Sequence, residues 1–335
     1  MMKSISKSIG ICVGILVAFL FLHLPRGTVS KPSISTSSVS MSSVDLWTAR
    51  KGFVTRLHPN SFVPSGPAPA PPNQIFRLVR YPASAGKLAA YVTPDPKDGK
   101  QHPAVLWAHG GFDGIDSCFW EPATPDNDQS ARAFREAGIV LMCPSWRGEN
   151  DNPGNFELFY GEVDDLMYAD KYLANLSYVD PARIYIAGHS TGGTMALLGA
   201  ETTDKYRAAF SFGGAQDMAN VVSNGQGYGN TPYDYRNKQE SYLRSPIHFV
   251  RFIKKPTFYF EGESSFYIND AQDMQRAAQK ANVPFFVFIV KGGDHFNILA
   301  PLTGMIADKI KQDTGPQCNI TVSEEEVMRA FSVAK

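Results

Sequence analysis

The chain has 335 residues, enough for one large domain with appendages or for two small ones. With 32 Lys and Arg against 32 Asp and Glu the formal net charge is zero and no basic run occurs, so nucleic acid is not an expected partner. No C-x-x-C or Cys/His cluster asks for a metal, and no motif asks for any other cofactor.

Lys3 and Lys7 precede an uncharged apolar run from Ile9 to Leu24, followed by Pro25 and Arg26. A basic start and an apolar stretch of this length read as a signal peptide or single membrane anchor over residues 1–30. The chain is therefore expected to be exported. It faces away from the cytosol on a membrane if the leader stays, or is secreted or periplasmic if the leader is cleaved. Residues 31–73 are Ser-rich and then Pro-rich, a composition that buries too little apolar surface to order itself, and read as a linker. Asp45 to Phe53 fits a short helix inside it.

Regular structure is expected from Gln74. Ile75–Tyr81 and Lys87–Thr93 alternate apolar and polar around Ser84-Ala85-Gly86, the pattern of an antiparallel hairpin. Ala104–Ala108 is a nearly continuous apolar run, as in a strand covered on both faces, and ends in His109-Gly110-Gly111-Phe112. A helix is expected around Gln129–Ala137 and a buried strand over Ile139–Cys143, running into Trp146-Arg147-Gly148. Phe156, Leu158, Phe159 and Tyr160 follow, as lining for an acyl pocket or as plain packing. Glu162 to Leu173 has helical period with an acidic first turn.

Ile184–Ala187 then leads as a strand into Gly188-His189-Ser190-Thr191-Gly192, and a small, apolar helix follows from Thr194. Strands are expected at Ala208–Phe212, Pro256–Phe260 and Phe285–Val290, with a helix over Asn269–Asn282 between the last two. The stretch 219–255, rich in Gly, Asn and Tyr, is a candidate lid. Residues 316–335 form a C-terminal tail in which Ser323-Glu324-Glu325-Glu326 has the form of a capping box. Strands alternating with helices after a leading hairpin indicate a mostly parallel sheet with helices on both faces. Outside the leader there are three cysteines, Cys118, Cys143 and Cys318, and a Cys118–Cys143 bridge is an option that the strand ends leave open.

A serine between glycines at a strand-to-helix turn has its hydroxyl pushed out above the sheet edge. His295, in Asp294-His295-Phe296 just after the last strand, follows it in the chain. These segments, with Tyr178–Ile184 and Arg244-Ser245-Pro246, resemble the α/β-hydrolase superfamily, and most closely its prolyl oligopeptidase/dienelactone-hydrolase-like branch. The resemblance covers about residues 75–315. It implies an α/β-hydrolase fold in one catalytic domain, residues 74–315, with a small lid insertion. It also implies a serine hydrolase, with Ser190 as nucleophile and His295 as general base. Gly111 and Thr191 are then expected to supply the backbone oxyanion hole.

The chain departs from the family in two places. The position three residues past the glycine after strand seven, where the family's acid stands, is Ser265. Glu263 in the same loop is the first replacement, Asp217 after strand six the second and Glu261 the third, while Asp270 reads as the start of a helix. The segment before Gln74 is also too short and too polar for the family's propeller. The expected substrate is thus a small-molecule ester or a short peptide or amide. A serine-type peptidase rather than an esterase is one alternative, and an inactive hydrolase-fold binding protein is another. The oligomeric state is open.

Overall fold

The computed structural model describes residues 44–58, 66–225 and 231–333. The stretch expected as a leader, part of the expected linker and residues 226–230 of the candidate lid lie outside these. The strands β1 (Arg77–Ala83) and β2 (Gly86–Val92) form the expected hairpin, antiparallel through the turn at Ser84–Ala85. They join β3 (His102–Ala108), β4 (Val140–Pro144), β5 (Val179–His189), β6 (Ala209–Phe212), β7 (Thr257–Gly262) and β8 (Phe285–Val290) in one sheet, ordered β1-β2-β4-β3-β5-β6-β7-β8. From β4 to β8 every pairing is parallel.

The helices are α1 (Leu46–Arg50), α2 (Arg132–Glu136), α3 (Gly161–Ala174), α4 (Thr191–Thr202), α5 (Met218–Ser223), α6 (Lys238–Tyr242), α7 (Ile268–Ala281), α8 (Leu299–Gln312) and α9 (Glu324–Val333). Strand residues alternate between two cores, as a period of two requires. Leu106, Met142 and Ile186 pack under α3 and α4 with Leu166 and Met195, and Tyr259 joins α7 through Ala271 and Met274. Val105, Leu141, Tyr185 and Phe258 face the other way, onto Phe134 of α2, Leu302 and Ile306 of α8 and Phe331 of α9. Phe212, Phe260 and Phe288 stack across β6, β7 and β8 with ring centroids 5.3 and 5.5 Å apart, the cross-strand pairing that stabilises a sheet face.

Part of the segment expected as a linker is docked on the domain. Arg50 donates to the carbonyls of Phe159 and Tyr160, Arg56 N donates to Glu240 at 3.0 Å, and Leu57 bridges Tyr233. Its Ser- and Pro-rich flanks hide a short run, Leu46 to Leu57, whose polar groups find fixed partners. A further difference is α8, a helix not expected from the sequence. Cys118, Cys143 and Cys318 are in no disulfide. Among the described residues no helix is long and apolar enough to cross a membrane.

Candidate active site

Ser190 stands between β5 and α4 with φ 55° and ψ −116°, a backbone region that costs a non-glycine residue about 1–3 kcal/mol. Main-chain bonds hold it there: Ser190 N donates to Phe212 O at 2.7 Å and Thr194 N to Ser190 O at 3.1 Å. Close approach explains the flanking glycines. A Cβ on Gly192 would run into the carbonyls of Ala108 and His109, and one on Gly188 into the backbone of Gly192. The strand-to-helix turn is thus clamped against the end of β3.

That clamp brings in the loop after β3. Thr191 Oγ1 donates to Gly111 O at 2.8 Å, so the two residues expected to form the oxyanion hole are adjacent. Thr191 opens α4, where the first amides have no partner within the helix. His109 serves the loop rather than the cleft. Its Nε2 lies 3.0 Å from Glu149 Oε2 and its Nδ1 3.0 Å from Gly110 O. Burial alone would push the His109 imidazole down, but Glu149 carries it above its ordinary value.

His295 lies in a loop closed by reciprocal bonds. Asp294 Oδ1 accepts from Phe296 N and Asn297 N, and Asn297 Oδ1 accepts from Asp294 N, all at 2.8 Å. His189 ties this loop to the strand-to-helix turn by donating from Nε2 to His295 O at 3.0 Å. The two rings are 4.7 Å apart. Burial, and then the neighbouring His295, hold His189 well below the usual imidazole range, so it is neutral. Gly213, next to the Phe212 carbonyl that binds Ser190 N, has φ +68°, and a Cβ there would lie 2.6 Å from His295 Nδ1. These contacts put His295 and Ser190 at the same carboxyl end of the sheet.

The carboxylate beside His295 is Glu261, the third of the three candidates. It is wholly buried, with both oxygens 3.4 Å from His295 Nδ1 and Oε1 accepting from Gly262 N at 2.9 Å. Glu263, ranked first, is exposed and accepts from Gly292 N. Asp217, ranked second, caps α5 through Ala219 N and Asn220 N. Neither site choice matches the geometry, because β7 runs two residues further than expected and keeps Glu261 inside the strand. Ser265 lies in the turn that follows, its N donating to Gly262 O.

Beside Gly111 and Thr191 opens a small cavity whose other walls include Phe112, Trp146, Phe156 and Phe159, with Glu149 and Glu162. Of the four residues expected as pocket lining or packing, Phe156 and Phe159 line it. Leu158 is in the core, and Tyr160 lies against the Arg50 guanidinium. Arg147, in the family-like Trp-Arg-Gly segment, is committed to Asp165 and Glu157. Among the described residues no group of three or more His, Cys, Asp or Glu could hold a metal ion.

Comparison with known proteins bears on the family and the fold. The model of the prolyl oligopeptidase family matches residues 126–307, more than half of the chain. The chain is 30% identical over 178 residues to the uncharacterized peptidase YtmA of Bacillus subtilis, covering 50% of this chain and 65% of that protein. In structure it resembles the acylaminoacyl peptidase of Pyrococcus horikoshii (TM-score 0.62, 14% identity, 76% of this chain and 44% of the other). It also resembles an esterase of Pyrobaculum calidifontis (TM-score 0.56, 19% identity, 72% and 86%). The chain thus spans less than two thirds of the curated relative it matches and of the peptidase it resembles in fold. On the elbow, the histidine loop and the extent of the match, this chain belongs to the prolyl oligopeptidase family of serine hydrolases.

Proposed function

We propose that the chain hydrolyses an ester, or a small peptide or amide bond, through an acyl-enzyme on Ser190. The reading rests above all on the buried Glu261 carboxylate set against His295 Nδ1 beside the strained serine turn. A serine hydroxyl is a poor nucleophile at neutral pH and needs a base. His295 Nε2 takes the Ser190 proton as Oγ adds to the substrate carbonyl, and returns it to the leaving group as the acyl–oxygen or acyl–nitrogen bond breaks. Water, deprotonated by the same imidazole, then releases the acid. Glu261 fixes the tautomer and stabilises the imidazolium. Amides of Gly111 and Thr191 receive the developing oxyanion, and each such donor is worth about 10²–10³ in rate. With Glu261 present, Ser265 no longer favours an inactive binding protein.

Family membership favours peptide substrates, and the chain carries a catalytic domain with the candidate lid, residues 219–255, so short peptides and small acyl derivatives are the class to test. The expected result is that Ser190→Ala abolishes both turnover of p-nitrophenyl acyl esters and labelling by a fluorophosphonate. Labelling that persists in that variant would overturn the mechanism. Comparing acyl p-nitroanilides with p-nitrophenyl esters separates a peptidase from an esterase.

A further inference from the structure

Two acids lining the cavity beside Gly111 are unusual in the same way. Glu149 is fully buried, and its Oε2 accepts from His109 Nε2 (3.0 Å), Trp146 N (2.9 Å) and Ser145 Oγ (3.3 Å). Its Oε1 is buried with no partner. Glu162 is 2% exposed; Oε1 accepts from Glu157 N, and Oε2 has no partner. Buried polar atoms are nearly always paired, and a buried carboxylate oxygen without a donor is costly. The nearby cations are already engaged, Arg147 by Asp165 and Glu157, Arg50 by the carbonyls of Phe159 and Tyr160. Phe112, Trp146 and Phe156 complete the walls.

We propose that this cavity is a substrate subsite for a primary ammonium group, received by Glu149 Oε1 and Glu162 Oε2 next to the oxyanion loop. The proposal deepens the hydrolase reading and rests on it. Three donors on an ammonium match two orphan acceptors and an aromatic wall. Size selects ammonium over guanidinium, because the inner space of about 10 Å³ takes one water-sized group. The amine can be the α-amine of an aminoacyl substrate or the end of a lysine-like chain; the chemistry of the site is the same for both.

Protonation supports the fit. Burial, and then Glu157, push the Glu162 carboxyl up to about 8. The charged groups facing it are Glu157, Asp165, Arg147 and Arg50, with Glu149 and His109 across the cavity. Empty, Glu162 keeps its proton at neutral pH; an entering ammonium displaces it. Preference for a lysine-like ammonium, which stays charged over this range, therefore rises between about pH 7 and 8, whereas an α-ammonium loses its own proton near pH 8 as Glu162 ionises.

The test compares isosteric pairs: p-nitroanilides of alanine and isobutyric acid, and p-nitrophenyl esters of 6-aminohexanoic and heptanoic acids. In the wild type the ammonium member of at least one pair is expected to have the higher kcat/KM, and which pair shows it identifies the source of the amine. Glu162→Gln should lower that ratio roughly tenfold or more and, for the aminohexanoyl pair, flatten its pH dependence. Glu149→Gln, read in the same way, covers the case in which Glu162→Gln does not fold. Independently of turnover, n-butylammonium should raise the melting temperature of the wild type more than n-butanol does, and should not do so for Glu162→Gln. Equal ratios in wild type and both variants, with no amine-dependent thermal shift, overturn the subsite while Ser190-dependent hydrolysis stands. Ser190-independent turnover overturns the hydrolase reading instead.

Discussion

At the scale of single residues the site depends on one absent side chain. Gly213 has positive φ, and a Cβ there would lie 2.5–2.6 Å from the His295 ring and 3.0 Å from Glu261 Oε2. Alanine would push the imidazole away from the carboxylate and from the serine, and displacement of a reacting group by about 1 Å can cost 10²-fold. Gly213→Ala is therefore expected to lower kcat on a p-nitrophenyl ester by about a hundredfold while the far-ultraviolet circular dichroism stays native. Activity within twofold of wild type would show that the position of His295 does not depend on the space left at Gly213. The places of Ser190 and His295 in the fold were legible in the sequence because a Gly-flanked serine at a strand end and a histidine after the last strand have topological addresses. Glu261 was not, since the family pattern points past the strand. A signal did exist: Glu261 follows Tyr259 on one face of a fully buried strand, where a carboxylate needs a partner.

At the scale of elements, the strands were readable because apolar runs bounded by turn residues have few other uses; β8 spans the expected residues. The missed α8 had its signal too, since Leu299, Leu302, Thr303, Ile306 and Ile310 are buried at helical spacing and Pro301 sits in the first turn, where it is tolerated. The chain after α8 is fixed by a polar knot that no local pattern announces. Asp313, fully buried, accepts from Arg207 Nε at 2.6 Å, Arg207 Nη2 and Tyr185 OH at 2.7 Å, and Asn319 N at 3.0 Å. Burial alone would raise the carboxyl; Arg207 and Tyr185 bring it down to about 2. Asp313→Asn leaves a buried guanidinium without its counter-charge and is expected to cost about 3–5 kcal/mol in urea unfolding. Replacing both partners, as in Arg207→Leu with Asp313→Leu, should cost less than the single change. A single variant as stable as the wild type would mean that the knot does not carry the tail.

At the scale of the whole molecule, buried acids set how stability answers to pH. Burial raises Asp170 to about 6, Glu162 to about 8 and Glu201, which has no partner for either oxygen, well above the ordinary carboxylate value. Each binds its proton more tightly folded than unfolded. The stability tied to that proton is complete below the unfolded pKa near 4 and is lost as pH rises through the folded one. His189 and His248, held low by burial, act in the opposite sense, adding stability as pH rises, but only up to the unfolded imidazole value near 6.5. Asp313 matters only in acid, below the ordinary Asp value. Between pH 7 and 8 His189, His248 and Asp170 have largely finished titrating, His109, held above its ordinary value, acts in the same sense as the acids, and Glu162 and Glu201 are each worth up to about 1.4 kcal/mol per pH unit while protonated. The melting temperature is therefore expected to fall from pH 7 to pH 8. Glu201→Gln, which keeps shape and removes the proton, should reduce the slope and be the more stable protein at pH 8. A melting temperature that is flat or rising over this interval, or an unchanged slope in the variant, would mean that α4 carries its buried acid ionised, with the charge answered by a group not paired with it here.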